Sequence, residues 1–144
     1  MTKPPTITAD ELIEEFDFLD DPTDRLKYVI ELGREIPALD DKYKIEQFRV
    51  QGCQSQVWVV PQINEEDPTR LQFAADSDAQ IVKGMISMLV MLLSNKTAKE
   101  ILVYDIKGLF EKLGLQQALT PSRSNGFYSM VRRIHDLAQA TLEQ

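Results

Sequence analysis

The only cysteine of this 144-residue chain, Cys53, is the side chain best suited to covalent chemistry. It lies in the segment from Val50 to Trp58, directly after Gly52, which permits backbone angles closed to other residues. Its other neighbours are polar: Gln51, Gln54, Ser55 and Gln56. This context favours presentation of the thiol on a loop, whereas many lone cysteines are small buried hydrophobes. Reactivity depends on the surroundings of the thiol, so the residues alone leave both interpretations open.

Chemistry at Cys53 would depend on its thiolate, which is the nucleophilic form of cysteine. At the ordinary pKa of about 8.5, only a few per cent of a thiol is ionised at pH 7. Cys–His pairs make nucleophilic enzymes, and the single histidine is His135. It follows Ile134 on the last predicted helix, turned away from the apolar stripe, and we expect a solvated side chain. One cysteine and one histidine do not predict a metal site, because structural zinc needs about four ligands.

Composition and charge exclude several classes of protein. The net charge of −7 argues against binding to nucleic acid or to anionic membrane surfaces. The longest apolar stretch, Met85 to Leu93, is too short to cross a bilayer. Residues Met1 to Pro5 carry no secretory signal, and one cysteine cannot form an internal disulfide. We therefore expect a cytoplasmic protein built as a single domain over residues 1–144.

Helix starts are marked by capping signals along the chain. Capping boxes are predicted at Thr8 with Glu11 and at Ser77 with Gln80, and Thr97 with Glu100 is predicted to open a short helix. Further starts are predicted at Asp21-Pro22, Asp105 and Thr120-Pro121, and stops at Pro37 and Gly114. The helix after Ser77 is apolar on nearly every side at its end, so we expect it at the centre of the core.

The middle of the chain has the composition and period of strands. Gln47 to Val50, Gln54 to Val60 and Arg70 to Ala75 are the extended candidates, with turn residues from Asn64 to Pro68. Connections this short cannot make parallel crossovers, which predicts an antiparallel meander of about three strands. The order of helices, small sheet and helices predicts an α+β fold.

Three separated motifs resemble those of the SufE family, which includes the CsdE proteins. They are Val50 to Trp58, Asp76 to Gly84 and Leu119 to Gly126, and the resemblance runs from about Leu26 to near the C-terminus. The family commonly has glycine where this chain has Ala75. The resemblance implies a small antiparallel sheet flanked by helices, similar to the SufE/IscU-type fold.

The resemblance also implies a function. It implies a sulfur acceptor that takes persulfide sulfur onto Cys53 from a SufS/CsdA-type cysteine desulfurase, stimulates that enzyme and has no turnover of its own. The sulfur would pass to iron–sulfur cluster assembly or a related pathway, for example to a scaffold. Pyridoxal phosphate would belong to the desulfurase, and this chain would carry no cofactor. Scaffolds hold clusters through several cysteines, whereas this chain has one. We therefore expect it to carry sulfur but not to build a cluster by itself.

Further residues are assigned to the active loop or to partner binding. They are Gln51, Gly52, Gln54, Ser55, Gln56, Asp76 and Arg123. Arg123 is interpreted either as a cation or loop anchor for Cys53 or as an ordinary solvated arginine. Asp76 would hold the loop or partner surface, or simply cap the following helix.

Three alternatives for Cys53 and for the function remain open. In the free protein the thiol would tuck against Val57, Trp58 or the central helix, which would shield a persulfide. A cysteine-nucleophile enzyme using His135 or a carboxylate is one alternative function. An adaptor that activates a desulfurase by binding alone is another.

Overall fold

The computed structural model describes residues 4–143, in which helices enclose a small sheet. In chain order the elements are α1 (Ala9–Asp17), α2 (Pro22–Leu32), two 3-10 turns (Asp41–Tyr43 and Glu46–Phe48), β1 (Val57–Ile63), β2 (Arg70–Ser77), α3 (Gln80–Leu93), β3 (Lys96–Thr97), α4 (Ala98–Val103), α5 (Ile106–Lys112), α6 (Leu115–Ala118) and α7 (Pro121–Leu142). The predicted α+β class is confirmed.

The sheet is antiparallel with the order β1-β2-β3, which confirms the predicted topology and number of strands. Val57 pairs with Ser77 and Ile63 with Leu71, so β1 and β2 form a long hairpin. β1 is an edge strand, and Pro61 lies within it. Proline has no N–H to donate, and in sheets it is confined to edges and bulges.

Two of the predicted strands differ from the structure. Gln47 to Val50 is not a strand: Glu46–Phe48 is a 3-10 turn, and only Arg49 forms an isolated bridge to Trp58. The third strand is instead the two-residue β3. The second run forms a strand only from Val57 onward, so residues 54–56 belong to the loop that carries Cys53.

Both faces of the sheet are covered, which explains why the early residues of β1 are all buried. Val57 and Val59 face the main core, where α3 is the central element, as predicted. Trp58 and Val60 point to the opposite face, because side chains alternate along a strand. There they pack with Leu39, and Tyr43 and Phe48 lie against this second cluster. Phe48 therefore packs on top of the outer sheet face. Because of this packing, residues 47–50 do not run beside β1 as a strand.

Most predicted helix boundaries are confirmed. Capping boxes are present at Thr8 and Thr97, and side-chain caps at Asp21, Asp105 and Thr120. Gly114 follows α5 with a left-handed φ of 67°.

Two predicted boundaries are wrong. α2 ends at Leu32, well before the predicted stop at Pro37. Gly33 directly follows its last residue, and the absence of a side chain there accommodates the close approach of α3. The capping box at Ser77 is absent, because α3 begins after Ala79 without a side-chain cap. The Ser77 hydroxyl instead donates to the main-chain oxygen of Gln56 at 2.7 Å.

α2 and α3 cross with their backbones almost in contact. A Cβ on Gly84 would overlap the backbone of Val29, so this crossing requires glycine. Ser87 is fully buried on α3, and its hydroxyl donates to the main-chain oxygen of Leu32. These contacts fix the position of α3, the helix that supports the cysteine loop.

Candidate functional site

Residues 51–56 form a loop closed at its base by the amide of Val50, which donates to the oxygen of Val57 at 2.8 Å. Gly52 has a φ of 89°, in the left-handed region that favours glycine. A Cβ at this position would also lie 2.6 Å from the hydroxyl oxygen of Ser129 on α7. The predicted glycine-dependent turn before Cys53 is therefore confirmed.

The thiol of Cys53 is half-buried against α7 and α3. Its Sγ donates to the main-chain oxygen of Gly126 at 3.4 Å, a distance that sulfur can span. A cavity of about 110 Å³ adjoins the thiol. Its lining combines apolar and polar groups: Cys53, Gln54, Ser55, Val82, Met85, Ser122, Arg123, Gly126 and Met130. The thiol thus lies against the central helix and α7, while Val57 and Trp58 do not line this cavity.

Burial raises the pKa of the Cys53 thiol above its ordinary value. The neutral thiol is therefore the dominant form at neutral pH in the closed loop. Because the thiolate is the reacting species, this position protects the cysteine more than it activates it.

The first half of the loop is largely open to solvent. Gln51 is exposed, and its side-chain amide donates to the Glu46 carboxylate at 3.1 Å. Gln54 is exposed and Ser55 half-buried, and both line the cavity beside Cys53. These polar groups surround the thiol at the surface of the protein.

The end of the loop is fixed at Gln56 by two residues that the sequence analysis did not assign to the site, Ser77 and Asp78. The Gln56 amide donates to the Asp78 carboxylate at 3.0 Å, and its oxygen accepts from the Ser77 hydroxyl at 2.7 Å. Both residues lie within the second motif, from Asp76 to Gly84. Their position in that motif was the only feature of the sequence that could have assigned them to the site.

Asp76 is buried, with 4% of its surface exposed. It bonds directly to the covering segment, residues 39–48 over the outer face of the sheet, and not to the loop. Its carboxylate accepts from the amides of Leu39 at 2.9 Å and Ser77 at 2.8 Å. The ammonium groups of Lys44 and Lys83 each lie 3.5 Å away. Capping of α3 by Asp76 is excluded, because α3 has no side-chain cap.

The pKa of Asp76 lies below its ordinary range. Burial alone would raise this pKa, but the two amide donors, Lys83 and Lys44 together outweigh it. The carboxylate is therefore ionised at neutral pH and ties Leu39 and Lys44 to the sheet. Through the Ser77 amide it also steadies the residue that holds Gln56.

Arg123 is exposed in the first turn of α7 and lines the cavity beside Cys53. Its amide donates to the hydroxyl of Thr120 at 3.2 Å. Within residues 4–143 its guanidinium makes no ion pair or hydrogen bond. The structure thus brings Arg123 and Cys53 to one cavity and leaves the guanidinium available for an incoming group.

His135 does not reach the thiol. It follows Gly126 by nine residues on α7, so at 1.5 Å per residue it lies about 13 Å farther along the helix. The prediction of a solvated side chain is wrong in part, since His135 is half-buried and its Nε2 is buried without a partner. A proton transfer from Cys53 to His135 would need hydrogen-bond distance.

Ser129 contacts the loop but was missed in the sequence. It is 8% exposed, and its hydroxyl lies 3.4 Å from the oxygen of Gly52. Ser129 and Met130 come three and four residues after Gly126, so all three share one face of α7. That spacing from the third motif was the only signal.

The part of the chain that the structure describes contains no group of three or more His, Cys, Asp or Glu residues placed to hold a metal ion. None of its helices is both long and apolar enough to cross a membrane.

Comparisons with known proteins agree on one family. Residues 10–138 match the sequence model of SufE, described as an Fe-S metabolism associated domain. An uncharacterized SufE-like protein of Rhizobium meliloti (strain 1021) is 42% identical over 137 residues, covering 94% of this chain and 97% of the relative. Another from Rhizobium etli is 42% identical over 134 residues, covering 92% and 90%.

A solved structure has the same fold. The solution structure of a hypothetical protein from Thermus thermophilus superposes with a TM-score of 0.75 at 20% identity. The match covers 99% of this chain and 100% of that one.

Proposed function

Because the chain belongs to the SufE family of Fe-S metabolism associated domains, we propose that Cys53 accepts and carries sulfur as a persulfide. The observation that carries this proposal is the position of the only cysteine. Cys53 lies half-buried on a loop tip above a cavity of about 110 Å³. A free thiol with adjoining space suits a residue that must bind one more sulfur atom.

The transfer is a thiol–disulfide type exchange. The Cys53 thiolate attacks the outer sulfur of a persulfide on the donor enzyme's cysteine, and a new S–S bond forms on Cys53. The donor's S–S bond breaks, its cysteine leaves as a thiolate, and the proton lost by Cys53 balances that charge. No external oxidant or reductant is consumed, because the transferred sulfur keeps its oxidation state.

The resting site is suited to storage. Burial keeps the thiol neutral, and the carbonyl of Gly126 holds it against α7. Movement of the loop into a partner's site would remove the burial that raises the thiol pKa, and would increase the thiolate fraction. Arg123, at the rim of the same cavity, would favour the thiolate and later the anionic persulfide.

The donor would be a SufS/CsdA-type cysteine desulfurase, which supplies the pyridoxal phosphate and is stimulated by this protein. The acceptor would be an iron–sulfur scaffold or a related sulfur-using protein in the cytoplasm. Gln51, Gln54 and Gln56 are exposed around Cys53 and would form the contact surface.

The deciding experiment is intact mass spectrometry after incubation with an active desulfurase, pyridoxal phosphate and L-cysteine. We expect a gain of one or more sulfur atoms that maps to Cys53 and is reversed by reductant. Cys53→Ser is the matched control and should gain none. Absence of a gain on the wild-type protein would contradict the carrier function.

The same mixtures test the adaptor alternative. Stimulation of the desulfurase by Cys53→Ser equal to that by the wild-type protein would assign the effect to binding alone. Loss of stimulation in this variant, with binding retained, would support the carrier.

A further inference from the structure

The Cys53 loop is held firmly at both ends and weakly at its tip. The base bonds are short: 2.8 Å from the Val50 amide to the Val57 oxygen, and 2.7 Å from the Ser77 hydroxyl to the Gln56 oxygen. The tip is held to α7 by two contacts of 3.4 Å, from Cys53 to Gly126 and from Ser129 to Gly52. Movement should therefore be confined to residues between these fixed ends.

The Ser129 hydroxyl has two possible acceptors and one hydrogen. Its Oγ lies 3.4 Å from the Gly52 oxygen and 3.2 Å from the Asn125 oxygen of its own helix. A hydroxyl donates one hydrogen bond at a time. The guanidinium of Arg132 lies 3.5 Å from the same Oγ as a donor, which directs the hydroxyl hydrogen toward the two carbonyls.

Detachment of the loop creates no additional unpaired polar group among the α7 atoms that it contacts. When Gly52 moves away, the Ser129 hydroxyl can donate to Asn125, four residues earlier. The Gly126 oxygen, in the interior of a 22-residue helix, retains its intrahelical acceptor role toward the amide of residue 130. An unsatisfied buried group would add a large cost to opening, and here none arises.

We propose that Ser129 is a positioning residue that holds the Cys53 loop closed over its cavity and releases it by transferring its hydrogen bond from Gly52 to Asn125. This role rests on the proposed function, since it supplies the storage position from which the sulfur-carrying residue is presented. Ser129 acts through Gly52 and does not touch the reacting sulfur.

The first test is the alkylation of Cys53 by iodoacetamide in the isolated protein over a range of pH. Ser129→Ala should raise the rate at pH 7 about two- to fivefold, as expected for loss of one weak neutral hydrogen bond. The midpoint of its rate-against-pH profile should also move down toward the ordinary thiol value, because an open loop exposes the thiol. Thr141→Val is the control: it removes a hydroxyl that donates to Leu137 on the same helix, away from the loop.

A double-mutant cycle tests the contact itself. Gly52→Ala would place a Cβ 2.6 Å from the Ser129 hydroxyl and should accelerate alkylation by expelling the loop. In the Ser129→Ala background the collision with the hydroxyl oxygen is removed, while the 3.3 Å contact with the Cβ of residue 129 and the backbone strain at position 52 remain. Gly52→Ala should therefore accelerate alkylation less in that background.

Two results would overturn the role of Ser129: a wild-type alkylation profile in Ser129→Ala, or additive effects of the two substitutions. Neither measurement uses a desulfurase. Failure here would leave the sulfur-carrier function to be decided separately by the mass gain on Cys53.

Discussion

The Sγ of Cys53 and the main-chain oxygen of Gly126 lie 3.4 Å apart, which joins the loop before β1 to the second turn of α7. A Cβ added to Gly126 would lie 3.6 Å from this sulfur, at ordinary van der Waals distance. The absence of a side chain at Gly126 therefore leaves open space beside the thiol. This relationship makes α7 one wall of the site.

Gly126→Ala should separate folding from sulfur storage. The methyl group meets no clash, and alanine favours a helix interior by about 0.8–1 kcal/mol over glycine, so the free energy of unfolding should be unchanged or higher. The same methyl occupies space beside the sulfur, so a Cys53 persulfide should be consumed faster by added glutathione. Mass spectrometry over time measures this loss, with the exposed neighbour Asn125→Ala as control. Equal lifetimes in the two variants would argue against storage in the cavity.

The buried thiol should make stability depend on alkaline pH. Its pKa is raised by burial, so the folded state retains the proton where the unfolded chain loses it. This contribution to stability is full below the unfolded thiol pKa of about 8.5 and is lost as pH rises through the folded-state pKa. Urea unfolding between pH 7 and 10 should show a steeper decline in the wild-type protein than in Cys53→Ala, in which only other groups with raised pKa values, such as Tyr28 and Tyr104, still contribute. Parallel profiles would show that Cys53 contributes none of it.

Asp76→Asn should destabilise the covering segment by about 1–3 kcal/mol, because it weakens two buried amide bonds and removes the charge facing Lys44 and Lys83. Since the pKa of Asp76 is depressed, its contribution is full above the ordinary aspartate range and is lost as pH falls through the folded-state value. Urea unfolding at pH 7 and at pH 3–4 should therefore show a difference between variant and wild type that shrinks in acid. Asp41→Asn, at an exposed partner of Lys44, is the control and should change stability by less than about 0.5 kcal/mol.

Arg123→Ala should slow anionic reagents at Cys53 more than neutral ones. The guanidinium at the cavity rim attracts negative charge, so its loss should lower the iodoacetate rate about two- to fivefold relative to iodoacetamide. Added salt should reduce this difference. Lys99→Ala removes an exposed cation on α4 and should leave the ratio of the two rates unchanged. If Arg123→Ala kept the wild-type ratio of the iodoacetate rate to the iodoacetamide rate, Arg123 would be an ordinary solvated residue without a role at Cys53.

Features set by neighbouring residues could be predicted from the sequence. The caps at Thr8 and Thr97 depend on side chains three residues away, and the turn at Gly52 depends on one backbone angle. The hairpin of β1 and β2 follows from a β-rich run, a short turn and an alternating run. These local signals were sufficient for the α+β class and for placing Cys53 on a loop.

Features set by distant contacts could not be predicted. Ser77 is a residue type that commonly caps helices, yet its hydroxyl donates to the main-chain oxygen of Gln56 in the cysteine loop. Phe48 is a residue type that is common in strands, yet it lies outside the sheet and packs on its outer face near Trp58. The contact of Ser129 with Gly52 joins residues 77 positions apart. The spacing of three residues from Gly126 places Ser129 on the same face of α7 but does not specify which residue of the loop it contacts.

Pro61 gives the sheet a further property, resistance to self-association through its edge. The exposed side of an edge strand can template the strand of another chain, and β1 is such a strand. Arg49 and Val50 already pair with its first residues, and Pro61 offers no donor farther along. Under the proposed function, a partner that drew the cysteine loop outward would therefore meet a strand that is poorly able to accept an added strand, and sulfur transfer would not expose a pairing edge.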